Sequence, residues 1–302
     1  MPVETRPRPD RARLDSIRIE AESHGDRLPG LLVEADRVAA TVIQGVHGRR
    51  RTGVGEAFWQ FRPYQPGEPA SHIDWRQSAK SRHLFVRQQE WEAAESVWFW
   101  VDQSASMRFR SIASAGFKHE RALLLALALA SLLIRGGEQV AVLGSGRRPV
   151  TGRHALERFA RDLLAAPREE TSLPHEERLP PHARLVLLSD WLQPFDELAR
   201  DLARLAARHA RAVLLQIVDP AEEALPFEGR TLFRGLENDG EALFGNVRDI
   251  RERYRTLFEA HCQRLGDTCR RFGWIRLRHR TDRPALAGLL PVYELMTAAE
   301  RR

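Results

Sequence analysis

The run Asp102-Gln103-Ser104-Ala105-Ser106 places one carboxylate and two hydroxyls at alternate positions, all of them oxygen donors. Hard divalent cations such as Mg2+ take oxygen ligands in near-octahedral geometry and usually keep some waters. A second acid, Asp190, closes the run Arg184-Leu-Val-Leu-Leu-Ser189, much as Asp102 closes Val97-Trp-Phe-Trp-Val101. An extended turn with donors at i, i+2 and i+4 could present them on one side, joined by the second acid. The same residues also have a purely structural reading. In it, Ser104 or Ser106 caps the following helix and Asp102 bonds to its own turn. Asp219 also ends an apolar run, but Pro220 follows at once, which points to a turn.

The elements that must position these residues follow from periodicity. Val97–Val101 reads as a strand buried on both faces. Phe117 to Arg135 reads as a strongly apolar helix stopped by Gly136-Gly137. Further strands are expected at Gln139–Leu143, Arg184–Ser189, Ala212–Val218 and around Trp274–Leu277. Helices are expected at His154–Ala165, Phe195–His209, roughly Val247–Phe272, and from Pro284. Such strand–helix–strand repetition predicts an α/β protein with a doubly wound, mostly parallel sheet. In such a sheet, ligands bind beyond the carboxyl ends of the strands, where Asp102 and Asp190 should both project. Residues 1–91 differ: turn signals (Gly45, Gly48, Gly53, Gly55, Pro63, Pro66-Gly67) separate short aromatic-rich runs. They divide into a basic tail, 1–28, and a smaller, mainly β module, 29–91, with one helix from Pro29 to about Ile43. Residues 92–302 form the α/β domain with a C-terminal helical extension.

Composition bounds the function. The 302 residues carry 47 Lys+Arg against 41 Asp+Glu, a net charge of +6 and a pI of about 10.1. The excess is spread: 15 cations against 12 acids in 1–91, 17 against 16 in 92–219, 15 against 13 in 220–302. The only basic cluster is Arg49-Arg50-Arg51, whereas a nucleic-acid groove usually shows as clustered basic residues. The longest apolar stretch, Ala122 to Ile134, is shorter than the ~18 residues a bilayer span needs. The first residues show no secretory signal. Cys262 and Cys269 lie seven apart in a helical stretch, ~10 Å along its axis, too far for a disulfide. A reducing cytoplasm is the expected location. His261 and His279 lack a partner at metal spacing and read as ordinary surface or helix-end residues.

A buried strand ending in D-x-S-x-S, with a later strand ending in Ser189-Asp190, resembles the metal-ion-dependent adhesion site (MIDAS) of von Willebrand factor A domains. A more particular likeness lies upstream in Arg62-Pro-Tyr64-Gln-Pro66-Gly67-Glu68 and Ile73-Asp74-Trp75-Arg76-Gln-Ser78-Ala79-Lys80. Downstream, Leu188-Ser-Asp190-Trp191, Val218-Asp219-Pro220-Ala-Glu222 and Leu225-Pro226-Phe227 extend it. Together these resemble the bacterial domain-of-unknown-function 58 family, von Willebrand A-like proteins associated with MoxR-type AAA+ ATPases. The likeness runs from roughly residue 31 to residue 290.

The resemblance implies a von Willebrand A-like, Rossmann-type fold and a bound Mg2+, with Mn2+ or Ca2+ as substitutes. It implies that Ser104 and Ser106 bind the ion directly, while Asp102 and Asp190 hold it through water. A loop threonine, with Thr171 the best-placed candidate, would complete the shell. The family's glycine-rich approach to that threonine is replaced here by Arg168-Glu169-Glu170, so Glu169 or Glu170 could compensate. Glu68 and Lys80 stand where the family has Asp and Arg. In adhesion sites the open metal position accepts a partner's carboxylate, which makes the site a recognition device and not a catalyst.

The segment from Arg62 to Lys80 has two readings. Structurally, Tyr64 and Trp75 pack and Asp74 pairs with Arg62 or Arg76. Functionally, Arg62, Tyr64, Trp75 and Arg76 form a partner-binding surface. The leading expectation is a cytoplasmic, non-enzymatic interaction protein whose partner is a MoxR-type ATPase or its client. One rival is a metal-dependent phosphoesterase or nuclease holding its ion on Asp102 and Asp190. That rival lacks a general base, since no His follows a strand and no Lys is expected near either acid. Another rival is nucleic-acid binding through Arg49–Arg51, Trp59, Phe61 and Tyr64.

Overall fold

The computed structural model describes residues 29–43, 58–65, 73–80, 83–89, 96–112, 115–166, 173, 179–180, 183–208, 210–236 and 240–298. The basic tail 1–28, Arg49–Arg51, Glu68 and the stretch from Arg168 to Thr171 lie outside them.

Residues 29–43 form helix α1. Its Ala35, Ala39 and Val42 share one stripe and are buried in the main core. β1 (Phe58–Pro63) and β2 (Phe85–Gln89) make a separate antiparallel pair, with α2 (Trp75–Ser78) between them in sequence. The Asp74 carboxylate caps α2 by accepting from the Gln77 N–H, and it forms no ion pair with Arg76; the side chain of Arg62, the other expected partner, lies outside the described residues. Trp75, expected to pack, is 63% exposed.

The central sheet has five parallel strands: β3 (Ser96–Val101), β4 (Gln139–Val142), β5 (Arg184–Ser189), β6 (Arg211–Val218) and β9 (Ile275–Arg280). Their order across the sheet is β4-β3-β5-β6-β9. The continuous apolar run of β3 is explained by burial on both faces. Val97, Phe99 and Val101 enter one core, whereas Trp98 and Trp100 enter the other. Helices α3 (Lys118–Arg135), α4 (Ala155–Leu164) and α8 (Ala285–Ala298) cover the first face together with α1. Helices α5 (Phe195–Ala206) and α7 (Arg248–Arg271) cover the second. α3 is buried almost all round because it lies between the sheet and the helices α1, α4 and α8. Asp36 of α1 accepts from Ser131 Oγ (2.7 Å) and Arg135 Nη2 (2.9 Å) on α3.

Three small elements add to the expected plan. α6 (Pro220–Ala224) follows β6 directly, so Asp219 is a helix cap and not simply a turn residue. A hairpin, β7 (Thr231–Arg234) with β8 (Glu241–Phe244), then precedes α7. Cys262 and Cys269 are both free and buried, as their spacing requires. No helix among the described residues is long and apolar enough to cross a membrane.

Candidate functional site

β3 leads through α3 to β4 on one side, and β5 leads through α5 to β6 on the other. The winding direction therefore reverses between β3 and β5, where a crevice opens beyond the strand ends. Asp102 and Asp190 follow these two strands. The Asp102 N–H donates to Leu188 O at 2.9 Å, carrying the ladder one residue past β3.

Asp102 is 3% exposed. Its Oδ1 accepts from the Ser104 N–H (2.8 Å) and its Oδ2 from Ser189 Oγ (2.6 Å). Burial, then the charge of Asp190, pushes its carboxyl up to about 6 despite these bonds. Among the described residues no cation pairs with Asp102. Ser104 Oγ and Ser106 Oγ are hydrogen-bonded to each other at 3.0 Å. Neither caps α3, whose N-cap is Phe117.

Asp190 is bonded on both oxygens. Oδ1 accepts from the Leu192 N–H at 3.2 Å, and Oδ2 lies 2.8 Å from Lys118 Nζ. The next residue, Trp191, has a left-handed backbone (φ 57°) although it is not glycine. Three contacts hold it there. Its N–H donates to Ser189 Oγ (3.1 Å), its carbonyl accepts from His261 Nε2 (2.6 Å), and its ring lies against Trp100. Backbone held in such a costly region is typical of functional edges.

Lys118 is wholly buried at the first residue of α3. A cation at a helix N-terminus opposes the macrodipole, so its charge must be balanced by side chains. Asp190 and Glu222 supply that balance. Burial works against the ammonium, yet the two carboxylates outweigh it and hold Lys118 above its ordinary value. Glu222 belongs to α6, where it forms a capping box with Asp219: its Oε2 accepts from the Asp219 N–H at 2.8 Å. Burial raises Glu222 to about 7, with Lys118 pulling it down and Asp190 pushing it up. Tyr254 on α7 donates to the Glu222 carbonyl at 2.7 Å. Asp219 in turn accepts from the Ala221 N–H (2.8 Å), the Ser111 N–H (2.9 Å) and Ser111 Oγ.

The edge thus sets Asp190 and Glu222 on one ammonium and leaves Asp102, which feels the charge of Asp190, with no cation of its own among the described residues. Adjacent ligands of an octahedral ion bound at ~2.1 Å lie ~3.0 Å apart. The two serine hydroxyls, hydrogen-bonded to each other at 3.0 Å, are close enough to share such an ion, and their oxygen donors suit a hard divalent cation. No group of three or more His, Cys, Asp or Glu placed to hold a metal exists among the described residues. The set at this edge is two acids and two hydroxyls.

The structure brings Asp102, Ser104, Ser106 and Asp190 together, while Thr171 lies outside the described residues. Arg62, Tyr64, Trp75 and Arg76 belong to the separate two-stranded unit: Arg62 pairs with Val86, Tyr64 is half-buried, and Trp75 and Arg76 are exposed. Lys118 corrects the expectation that no lysine stands near either acid. The histidine expectation is corrected too. His279 is 3% exposed on β9, and His261 is half-buried under Trp191.

Fold and edge define a doubly wound α/β protein with an oxygen-donor site at its switch point. The chain belongs to the family described as protein of unknown function DUF58, whose model matches residues 60–264. It is 28% identical over 264 residues to the uncharacterized proteins Mb1516 of Mycobacterium bovis and Rv1480 of Mycobacterium tuberculosis, covering 82% of this chain and of each relative. Among solved structures, it is similar to the conserved hypothetical protein BatB from Bacteroides thetaiotaomicron. That likeness has 13% identity and a TM-score of 0.42, over 69% of this chain and 100% of that one. An uncharacterized membrane spanning protein from Vibrio fischeri matches at 18% identity and a TM-score of 0.18, over 68% and 100%. Both scores are too low to define a shared fold.

Proposed function

We propose that this protein is a non-enzymatic interaction module that takes a partner's carboxylate through a divalent cation. Ser104 and Ser106 would hold the cation directly, and Asp102 and Asp190 would hold it through water. When bound, the ion supplies a Lewis-acidic position open to an acidic side chain. The observation that carries this reading is the pair of serine hydroxyls 3.0 Å apart, beside a buried carboxylate that no cation balances. A buried charge without a counter-charge is costly, and a bound cation offsets that cost.

The von Willebrand A likeness of the D-x-S-x-S run supports the same reading and makes a MoxR-type AAA+ ATPase, or its client, the first partner to try. Lys118 gives no support to a hydrolytic reading. Its ammonium is held protonated by two acids and cannot serve as a base.

The test is co-purification of the full chain with a MoxR-type ATPase in Mg2+ and in chelator, for wild type and for Ser104→Ala/Ser106→Ala. Capture by wild type in Mg2+ alone supports the proposal. Capture indifferent to both chelator and substitution removes it, and so does Mg2+-dependent phosphoester hydrolysis abolished by Asp102→Ala.

A further inference from the structure

The buried lysine beside this site has a role that neither family membership nor the serine pair assigns. We infer that Lys118 sets the charge of the Asp102–Asp190 edge, loosening its grip on a divalent cation and thereby strengthening that cation's attraction for an acidic partner. The inference rests on the carboxylate-recognition reading above.

Lys118 is fixed in place by more than its own helix. Its Nζ meets Asp190 from the end of β5 and Glu222 from α6. Glu222 is itself held by the Asp219 N–H and by Tyr254 of α7. Three elements, α3, the end of β5 and α6, therefore meet at one ammonium, at a helix terminus where a cation is intrinsically unfavourable.

The consequence is electrostatic. Asp190 has one oxygen on this ammonium and the other on the Leu192 N–H, so it offers an incoming cation little free charge. Among the described residues Asp102 receives only neutral donors, Ser104 N–H and Ser189 O–H, so no cation neutralises its carboxylate. A divalent ion at the serines thus meets one unneutralised carboxylate instead of two. The surplus charge remaining on the ion favours an anionic ligand from outside. The rim has the same preference. Arg108 and Arg110, exposed just after Ser106, have no ion pair among the described residues, and Arg110 lies 4.2 Å over the Phe117 ring.

Removing the ammonium should therefore move two affinities in opposite directions. A merely structural lysine would move both down together. The test uses the full chain, Mn2+ as the cation followed by electron paramagnetic resonance, and [13C]acetate as the carboxylate followed by its relaxation at bound Mn2+. Lys118→Met should bind Mn2+ about tenfold more tightly and acetate about tenfold more weakly than wild type. Lys118→Arg, which keeps the charge, should resemble wild type. If Lys118→Met does not fold, the same comparison is made in a Glu222→Gln background, where only Asp190 loses its partner. Unchanged affinities, or both weakened together, overturn the role of Lys118. Should Ser104→Ala/Ser106→Ala abolish Mn2+ binding while Lys118→Met leaves both affinities alone, the recognition reading stands and this inference falls. Should wild type itself bind no Mn2+, both fall.

Discussion

Lys118 Nζ stands 2.8 Å from Asp190 Oδ2, joining the first residue of α3 to the residue after β5 across 72 positions of sequence. Both groups are buried, so neither can turn to water if the other is removed. Lys118→Ala should therefore cost about 3–5 kcal/mol at pH 8, the usual consequence of orphaning a buried charge. The cost should shrink at pH 5, where Glu222, already raised to about 7, takes up a proton. Urea denaturation at the two pH values checks this. A loss independent of pH would contradict it.

The pH dependence of the wild type carries a definite sign. Asp102 and Glu222 are raised in the folded state to about 6 and about 7. Their contribution to stability is complete below the ordinary carboxylate range, ~4, and is lost as pH rises through 6 and 7. Asp102→Asn should remove part of that decline, so the variant gains on wild type between pH 4.5 and pH 8. Saturating Mg2+ should flatten the wild-type profile in the same window, because the cation favours ionised Asp102. Thermal melts across the range decide it, and parallel profiles for wild type and variant would count against the assignment.

His279 contributes with the opposite sign. Burial first, then Arg121, depresses it to about 4. Its contribution is present above ~6.5 and is lost as pH falls through 4. The ring is also tightly enclosed: a Cβ added at Gly288 of α8 would lie 2.7 Å from His279 Cγ. Gly288→Ala should cost about 1–3 kcal/mol by overpacking. The double variant Gly288→Ala/His279→Ala should recover much of that loss relative to His279→Ala alone, as a denaturation cycle would show.

What could be read in advance depended on how local the signal was. Strands β3 and β5 announce themselves because two-sided burial makes every residue apolar and the run ends on an acid. Asp102, Ser104, Ser106 and Asp190 were legible for that reason. Lys118 was not. It opens an otherwise ordinary apolar helix, and its partners lie 72 and 104 residues away. The one available signal was its rarity, since only two lysines accompany 45 arginines. His279 escaped because β9 alternates Ile, Leu and His with arginines, so its inward face looked half polar. Gly288, within the apolar pattern of α8, was the mark of the close approach. The β7–β8 hairpin has strands of four residues, mostly exposed, and offers no hydrophobic period to detect.

Asp219 links the site's far side to the chain after Ser106. It caps α6 and accepts two bonds from Ser111. Asp219→Ala should cost about 1–2 kcal/mol through the lost cap. Ser111→Ala, which removes only the hydroxyl, should cost less. Chemical denaturation of the two variants gives the order, and a larger loss for Ser111→Ala would contradict it.

The central claim is that the hydroxyls of Ser104 and Ser106 hold a divalent cation at this edge. Its most direct test is a Mn2+ titration of the purified full chain followed by electron paramagnetic resonance, for wild type and for Ser104→Ala/Ser106→Ala. Carboxylate recognition through a metal predicts one bound ion per wild-type chain, displaced by Mg2+ and lost in the double variant. Absence of binding in wild type, or equal binding in both proteins, would contradict it.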